Sequence, residues 1–222
     1  MDLFVWPTDL RQDGHSMSIS RSSAGCLNAR SFAVRLALAG FLLLGISLHA
    51  AAQALAELDK QYAAGRYLEA VIRLHEMPAL DPEVAQWLAG KAEAGVPPFQ
   101  YEYSRRLAES DMPAAIRWFA RGFVVRSLDV AECTEWTRAP GHVALRQRYS
   151  SLNDKVLAHP ALYAAEAEQA IEWERKRPER PSARWICEDL MLPAEQRQAA
   201  REKQTIRIRE GIARLKARAA AK

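Results

Sequence analysis

From residue 55 onward, apolar residues recur at intervals of three and four positions, which is the spacing of one face of an α-helix. The first two stripes consist of Leu55, Leu58 and Tyr62, then Tyr67, Val71 and Leu74. The sequence has no alternating runs of β-branched residues, which would predict strands, and its one short β-like stretch is Phe123-Val124-Val125. The pattern therefore predicts an all-α protein.

Glycine and proline divide this part of the chain into pieces of about 10 to 18 residues, a normal length for a helix. Asp81-Pro82-Glu83 and Asp111-Met112-Pro113 each place a carboxylate where it can cap a helix N-terminus, with a proline in the first turn. Gly65 separates two predicted helices, residues 53–64 and 67–77. We therefore expect a stack of short helices.

Two tryptophans lie in similar surroundings 31 residues apart, which suggests an internal repeat. Ala85-Gln86-Trp87-Leu88 is followed by Gly95, and Ala115-Ile116-Arg117-Trp118-Phe119 is followed by Gly122. A third similar segment is Ala170-Ile171-Glu172-Trp173. Repeats of about 30 to 40 residues, each an antiparallel helix pair, are typical of helical solenoids. The predicted fold is a short α-solenoid of antiparallel helix pairs with an extra C-terminal helix.

Residues 62–123 contain four segments with recognisable motifs. They are Trp87-Leu88-x-x-Lys91-Ala92-x-x-Gly95, Tyr101 to Leu107, Asp111-x-x-Ala114-Ala115-Ile116-x-Trp118-Phe119, and Gly65-Arg66-Tyr67-x-Glu69-Ala70. The first three resemble Sel1-like repeats, which are close relatives of tetratricopeptide repeats, and the last resembles the helix junction of a tetratricopeptide repeat. The resemblance implies an adaptor or scaffold that binds other proteins. It also implies an alternative, because some periplasmic relatives of such families are immunity proteins that neutralise secreted toxins.

The N-terminal segment has the parts of a secretory signal peptide. Arg30 and Arg35 precede an apolar run over residues 36–48, and Ala52-Gln53-Ala54 follows as a small-residue cleavage pattern. The run is shorter than the roughly 20 apolar residues of a spanning helix, which argues against an uncleaved anchor. We therefore predict that residues 1–54 are a signal peptide, with Met17 as an alternative start, and that the mature protein is periplasmic or secreted.

The cysteines agree with export. Cys26 lies in the leader and precedes the apolar run, which leaves the pair Cys133 and Cys187 in the mature chain. Metal ligation or a redox pair would be alternatives, but a spacing of 54 residues is not that of a metal knuckle. An even pair in an exported chain predicts a structural disulfide.

The charge of the chain is uneven. The formal net charge is +4, yet residues 195–222 alone contain nine Lys/Arg against three Asp/Glu. Residues 55–192 are predicted to form the helical-repeat domain and residues 193–222 a basic amphipathic helix that packs on it or faces solvent. Contact of this basic tail with a membrane surface is the alternative. The body is not basic, so no nucleic-acid partner is expected.

Several aromatic and acidic residues are open to two interpretations. Trp136 and Trp185 each lie near a cysteine, so they either pack over the disulfide or form an exposed partner-binding spot together with other aromatics, for which Tyr101 and Tyr103 are candidates. The carboxylates of the segment 166–174 are predicted to form a solvated face with weak ion pairs. They are Glu166, Glu168, Glu172 and Glu174.

The sequence contains no pattern typical of an active site. It has no H-x-x-x-H or C-x-x-C spacing, no glycine-rich phosphate loop and no nucleophile elbow. His75 is interpreted as a cation at a helix C-terminus. No catalytic residue, metal site or cofactor is therefore predicted. The expected function is a non-catalytic protein–protein interaction scaffold of the bacterial envelope, with an immunity protein or an envelope hydrolase as alternatives.

Overall fold

The computed structural model describes residues 52–77, 80–135, 139–177 and 182–221, and every regular element within them is a helix. The helices are α1 (residues 52–63), α2 (Tyr67–Glu76), α3 (Pro82–Glu93), α4 (Pro97–Leu107), α5 (Met112–Ala131), α6 (Pro140–Arg148), α7 (Ser150–Leu157), α8 (Pro160–Arg175), α9 (Arg184–Cys187) and α10 (Ala194–Ala220). The predicted all-α fold is confirmed. Residues 1–51 of the predicted leader lie outside the described residues.

The helix boundaries follow the local signals in the sequence. Asp81 Oδ1 accepts a hydrogen bond from the backbone N–H of Glu83 at 2.9 Å and caps α3. Asp111 Oδ1 accepts one from the N–H of Ala114 at 3.0 Å and caps α5. Gly65 has a φ of 71°, a left-handed conformation that suits glycine and separates α1 from α2.

The first helices stack through their apolar stripes. Both α2 and α3 pack against α4, and α4 packs against α5. The buried apolar side chains of α2 and α3 are Ala70, Val71, Leu74, Val84, Leu88 and Ala92. This stacking of successive helices gives the N-terminal half the repeat-like character that the sequence predicts.

The second half of the unit Leu55–Lys222 gathers around α5. This helix packs against α4, α8 and α10, and α10 also packs against α8. Because neighbours cover α5 on several sides, buried residues follow one another without a break from Val124 to Val130. No helix among the described residues is long and apolar enough to cross a membrane.

A disulfide closes the corner between α5 and α9. The Sγ atoms of Cys133 and Cys187 are bonded at 2.08 Å, as the sequence predicts. Cys133 also forms an antiparallel bridge with Met191, so the chain on either side of the disulfide runs together. Gly141 lies against this corner, because a Cβ there would lie 3.0 Å from the backbone of Ile186. The small core around the disulfide consists of Val130, Cys133, Ala139, Ala183, Ile186 and Cys187.

Candidate functional site

Three helical stripes face one open cleft between α5, α8 and α10. The cleft has a volume of about 720 Å³. Its lining recurs every three or four residues along each helix, which is why each stripe lies on a single helix face. The lining residues are Val124 and Leu128 on α5 with Glu132 just beyond it; Ile171, Glu174 and Arg175 on α8 with Arg177 just beyond it; and Ala194, Arg197, Gln198, Arg201, Glu202, Thr205, Ile208 and Arg209 on α10.

The floor of the cleft is apolar. Val124, Leu128, Ile171 and Ile208 are between 0 % and 7 % exposed. They come from three different helices, so the floor exists only where α5, α8 and α10 meet. An apolar side chain of a partner that entered the cleft would therefore contact a preformed surface.

Most of the remaining lining is charged, with five arginines against three glutamates. Glu174 is 5 % exposed and lies between two of these arginines. Arg177 Nη1 is 3.0 Å from Glu174 Oε2, and Arg201 Nη2 is 3.4 Å from Oε1. Arg201 Nη1 is also 3.8 Å from Glu132 Oε1. These ion pairs hold the guanidinium groups in place and leave the lining with a formal excess of positive charge.

Arg177 fixes one end of the cleft to the turn between α3 and α4. Its Nη1 donates to the carbonyl oxygen of Gly95 at 3.4 Å, and its Cζ lies 4.9 Å from the ring centroid of Trp173. Gly95 has a φ of 75°, and a Cβ at this position would lie 2.3 Å from Arg177 Cζ. A residue other than glycine would therefore displace the arginine.

The aromatic residues proposed from the sequence do not line the cleft. Tyr101 is 3 % exposed and stacks on Tyr149 with centroids 5.5 Å apart, so it is not part of an exposed aromatic surface. Tyr103 is half-buried and packs edge-on against Trp118 with centroids 5.2 Å apart. Trp136 lies outside the described residues.

Trp185 packs beside the disulfide, which is one of the two roles that the sequence suggests for it. It is partly buried against the core around the disulfide, and its Nε1 donates to Asp129 Oδ2 at 3.0 Å. The indole therefore links α9 to α5 next to Cys187. This arrangement leaves the cleft, rather than the disulfide corner, as the candidate site.

The expectation of a solvated carboxylate face on α8 is wrong for two of its four members. Glu166 is 8 % exposed and Glu174 is 5 % exposed. The signal that could have identified the cleft is the recurrence of arginine on one face of α10, at Arg197, Arg201 and Arg209, opposite the carboxylates of α8. In the sequence these arginines belong to the basic tail, and the tail itself does not indicate which helix its charged stripe faces.

A second polar cluster surrounds Glu102, whose side chain is 0 % exposed. Arg105 Nε donates to its Oε2 at 3.0 Å, Arg106 Nε to its Oε1 at 2.9 Å, and the Tyr149 hydroxyl to its Oε2 at 3.0 Å. His75 Nδ1 is 3.1 Å from the same Oε2. Burial by itself would raise the pKa of Glu102, but the hydrogen bonds and charges of these neighbours outweigh it and hold the pKa below its ordinary value.

The Glu102 cluster joins elements rather than presenting a reactive group. Its members come from α2, α4 and the junction of α6 with α7. Both carboxylate oxygens accept hydrogen bonds from side chains of the protein itself. Among the described residues, no three His, Cys, Asp or Glu side chains gather in a group that could hold a metal ion.

Comparison with known proteins gives no match, neither to a protein-family model nor to a curated protein nor to a solved structure.

Proposed function

We propose that this protein is an exported, non-catalytic interaction scaffold of a bacterial envelope, and that its partner enters the cleft between α5, α8 and α10. The observation that carries the proposal is the combination of an apolar floor and an excess of arginine in one open cleft of about 720 Å³. Protein interfaces have an apolar centre with a polar rim, and arginine is enriched in them.

The chemistry of the cleft favours an acidic partner segment that carries an apolar side chain. Arginine offers a planar set of donors that matches a carboxylate, and it remains charged at every physiological pH. Arg197 and Arg209 lie at opposite ends of the α10 stripe, with Thr205 and Ile208 between them. An acidic segment lying along α10 would meet both guanidinium groups, and its apolar side chain would reach the floor.

Export is supported by the disulfide and by the leader pattern. Disulfides persist in oxidising compartments and are rare in the cytosol, and Cys133 and Cys187 are bonded in this fold. The basic, apolar and small-residue regions of residues 1–54 have the order of a secretory signal. Both support the proposal that the partner is met in the periplasm or outside the cell.

Charge reversal in the cleft tests the proposal. The variant Arg197→Glu with Arg209→Glu changes two lining residues. Its matched control, Arg207→Glu with Arg214→Glu, makes the same charge change on exposed positions of α10 that do not line the cleft. Full-length wild type and both variants are used as affinity baits in envelope extract, and the affinity of each for the purified partner is then measured by calorimetry.

We expect the cleft variant to lose a partner that the wild type and the control variant both retain. Loss of two charge-assisted contacts should weaken binding by about tenfold or more. Equal binding by the cleft variant and the wild type would show that the partner binds elsewhere. If no partner is retained by the wild type, the scaffold function itself is contradicted.

A further inference from the structure

Arg126 is a buried arginine that has no counter-charge among the described residues. It lies in the middle of α5 and is only 7 % exposed. Its Nε is fully covered and has no hydrogen-bond partner among the described residues, and no described carboxylate lies within ion-pair distance of it. Its neighbours are ring faces instead, with Cζ 5.3 Å from the centroid of Phe123 and 5.9 Å from that of Tyr101. Burying an unpaired charge is costly, so its presence requires an explanation.

Two tyrosine hydroxyls near Arg126 can donate hydrogen bonds. Tyr101 and Tyr163 are 3 % and 2 % exposed, and the positive charge of Arg126 acts on both hydroxyls. Burial raises the pKa of both hydroxyls, with Arg126 lowering it only in part, so both stay protonated and can donate. An arginine has donors and no acceptor. The guanidinium and the two hydroxyls therefore offer N–H and O–H groups and no negative charge.

His142 does not supply the missing charge. It is 9 % exposed, and burial together with the positive charges of Arg126 and Arg146 lowers its pKa to about 3. The imidazole is therefore neutral at physiological pH. Arg126 of α5 and Arg146 of α6 both lie close enough to the imidazole to disfavour its protonation.

The rings around Arg126 form a rigid frame. Phe119 lies between the two tyrosines, with its centroid 5.1 Å from that of Tyr101 and 6.1 Å from that of Tyr163. Phe123 lies 6.2 Å from Tyr163. Side chains held in this way lose little conformational entropy when a ligand binds. The 7 % of Arg126 that remains exposed shows that the side chain is not sealed from solvent.

This region is separate from the cleft. Val124 and Leu128, which line the cleft, each lie two residues from Arg126. Two residues correspond to a rotation of roughly 200° about a helix axis, so Arg126 projects from the opposite side of α5. A test of the Arg126 region and a test of the cleft can therefore fail independently.

We propose that Arg126, Tyr101 and Tyr163 form a second binding site, which takes a small oxyanion such as phosphate or a carboxylate. The guanidinium supplies the charge and directed donors that such an anion requires, and the two hydroxyls donate to its remaining oxygens. Binding supplies the counter-charge that the described residues do not provide.

The test uses the full-length protein and inorganic phosphate or acetate as probes, with chloride at equal ionic strength as the reference. We expect phosphate, acetate or both to raise the melting temperature of the wild type and to give a saturable calorimetric titration. The probe that binds identifies the source of the oxyanion as phosphate or carboxylate. If neither probe binds more tightly than chloride, the proposal is overturned.

The variant Arg126→Met separates a binding role from a structural one. Replacing a buried charge by an apolar side chain of similar length is often neutral or stabilising. We expect its melting temperature in chloride to equal or exceed that of the wild type, and its response to the probe to be lost. The exposed Arg73→Met on α2 is the matched control and should keep the response. A lower melting temperature in chloride with an unchanged response would overturn the proposal.

The variant Arg126→Lys keeps the charge but has three donors in place of five. We expect its affinity for the probe to fall by about tenfold, because a lysine cannot offer the paired donors of the guanidinium. An affinity equal to that of the wild type would show that charge alone holds the anion and would contradict the assigned role of the guanidinium.

Discussion

Glu102 and Arg126 are both buried charged residues, but among the described residues only Glu102 has counter-charges beside it. Its side chain is 0 % exposed, and Arg105 and Arg106 lie one turn further along the same helix. The short sequence separation places these arginines within reach as soon as α4 forms. Tyr149 and His75 then bring α2 and the α6–α7 junction to the same carboxylate.

Substituting Glu102→Gln should destabilise the fold by about 3 kcal/mol, because removing the carboxylate from this buried cluster takes its negative charge away from Arg105 and Arg106. Arg106, which is 16 % exposed, would lose its ion pair with Glu102. The measurement is urea unfolding followed by circular dichroism. Glu76→Gln is the control, an exposed carboxylate on α2 whose loss should change stability little. A change of the same small size for both variants would contradict the role of Glu102.

Glu102 also predicts how stability depends on pH. Its pKa is lower in the folded protein than the ordinary value of 4.5, so the folded state favours the ionised form. The resulting stabilisation is fully present above pH 4.5 and is lost as the pH falls through the lower folded-state pKa. We expect the unfolding free energy to fall over this acid range in the wild type and to fall less steeply in Glu102→Gln. Parallel profiles for the two proteins would exclude Glu102 as a source of the acid sensitivity.

Among the helices, α10 shows what an amphipathic pattern can predict, namely which side chains are buried, and what it cannot, namely which helices cover them. The sequence predicts a stripe of Ile208, Ile212 and Leu215, and the first two are 4 % and 2 % exposed. The pattern could not show what covers the stripe. The structure shows that α10 runs antiparallel to α8, because Lys216 pairs with Glu168 while Arg201 pairs with Glu174.

The docking of α10 can be tested with two isoleucines of the same helix. Ile212→Ala should destabilise the protein by about 2–4 kcal/mol, because a buried large-to-small change leaves a cavity. Ile206→Ala is the matched control, since Ile206 is 58 % exposed and its loss should cost little. Urea unfolding of the two variants gives the comparison. Equal midpoints would mean that α10 is not packed on α5 and α8 in solution.

At the scale of the whole molecule, local signals predicted the elements but not the sites that form between them. Asp81, Asp111 and Gly65 mark helix boundaries through interactions within a few residues, so the sequence shows them directly. The cleft instead needs side chains from positions as far apart as Val124 and Ile208. Nothing near either residue in the chain specifies that contact, which arises only when α5, α8 and α10 pack.

Arg126 illustrates the same limit at a single position. An arginine between valine and serine in a helix gives no local sign of burial, since arginine is mostly exposed in proteins. The side chain is covered by aromatic residues of other helices, Tyr101 of α4 and Tyr163 of α8. The disulfide is a long-range feature that the sequence does predict. With Cys26 assigned to the leader, Cys133 and Cys187 remain, and two cysteines can pair in only one way.

The disulfide joins two cysteines that are 54 residues apart in the sequence, so it constrains a large part of the unit Leu55–Lys222. Glu132 lies just before the first cysteine, Glu174 within the closed loop and Arg197 after the second cysteine, so the lining of the cleft comes from all three stretches. Replacing Cys133 and Cys187 by serine should lower the unfolding free energy by about 4 kcal/mol, because an uncrosslinked unfolded chain gains loop entropy. Since helix packing and ion pairs then hold the lining without the crosslink, we also expect weaker partner binding.

Urea unfolding of the double serine variant is compared with that of Cys26→Ser. This comparison separates the loss of the crosslink from the loss of a cysteine side chain in general. Cys26 belongs to the predicted leader and lies outside the described residues. We expect its substitution to leave the midpoint unchanged, and we expect a reducing agent to shift the wild type to the midpoint of the double variant. If reduction leaves the wild type unaffected, the pair is not crosslinked in solution. If stability falls but affinity for the partner does not, the cleft is held by helix packing without help from the disulfide.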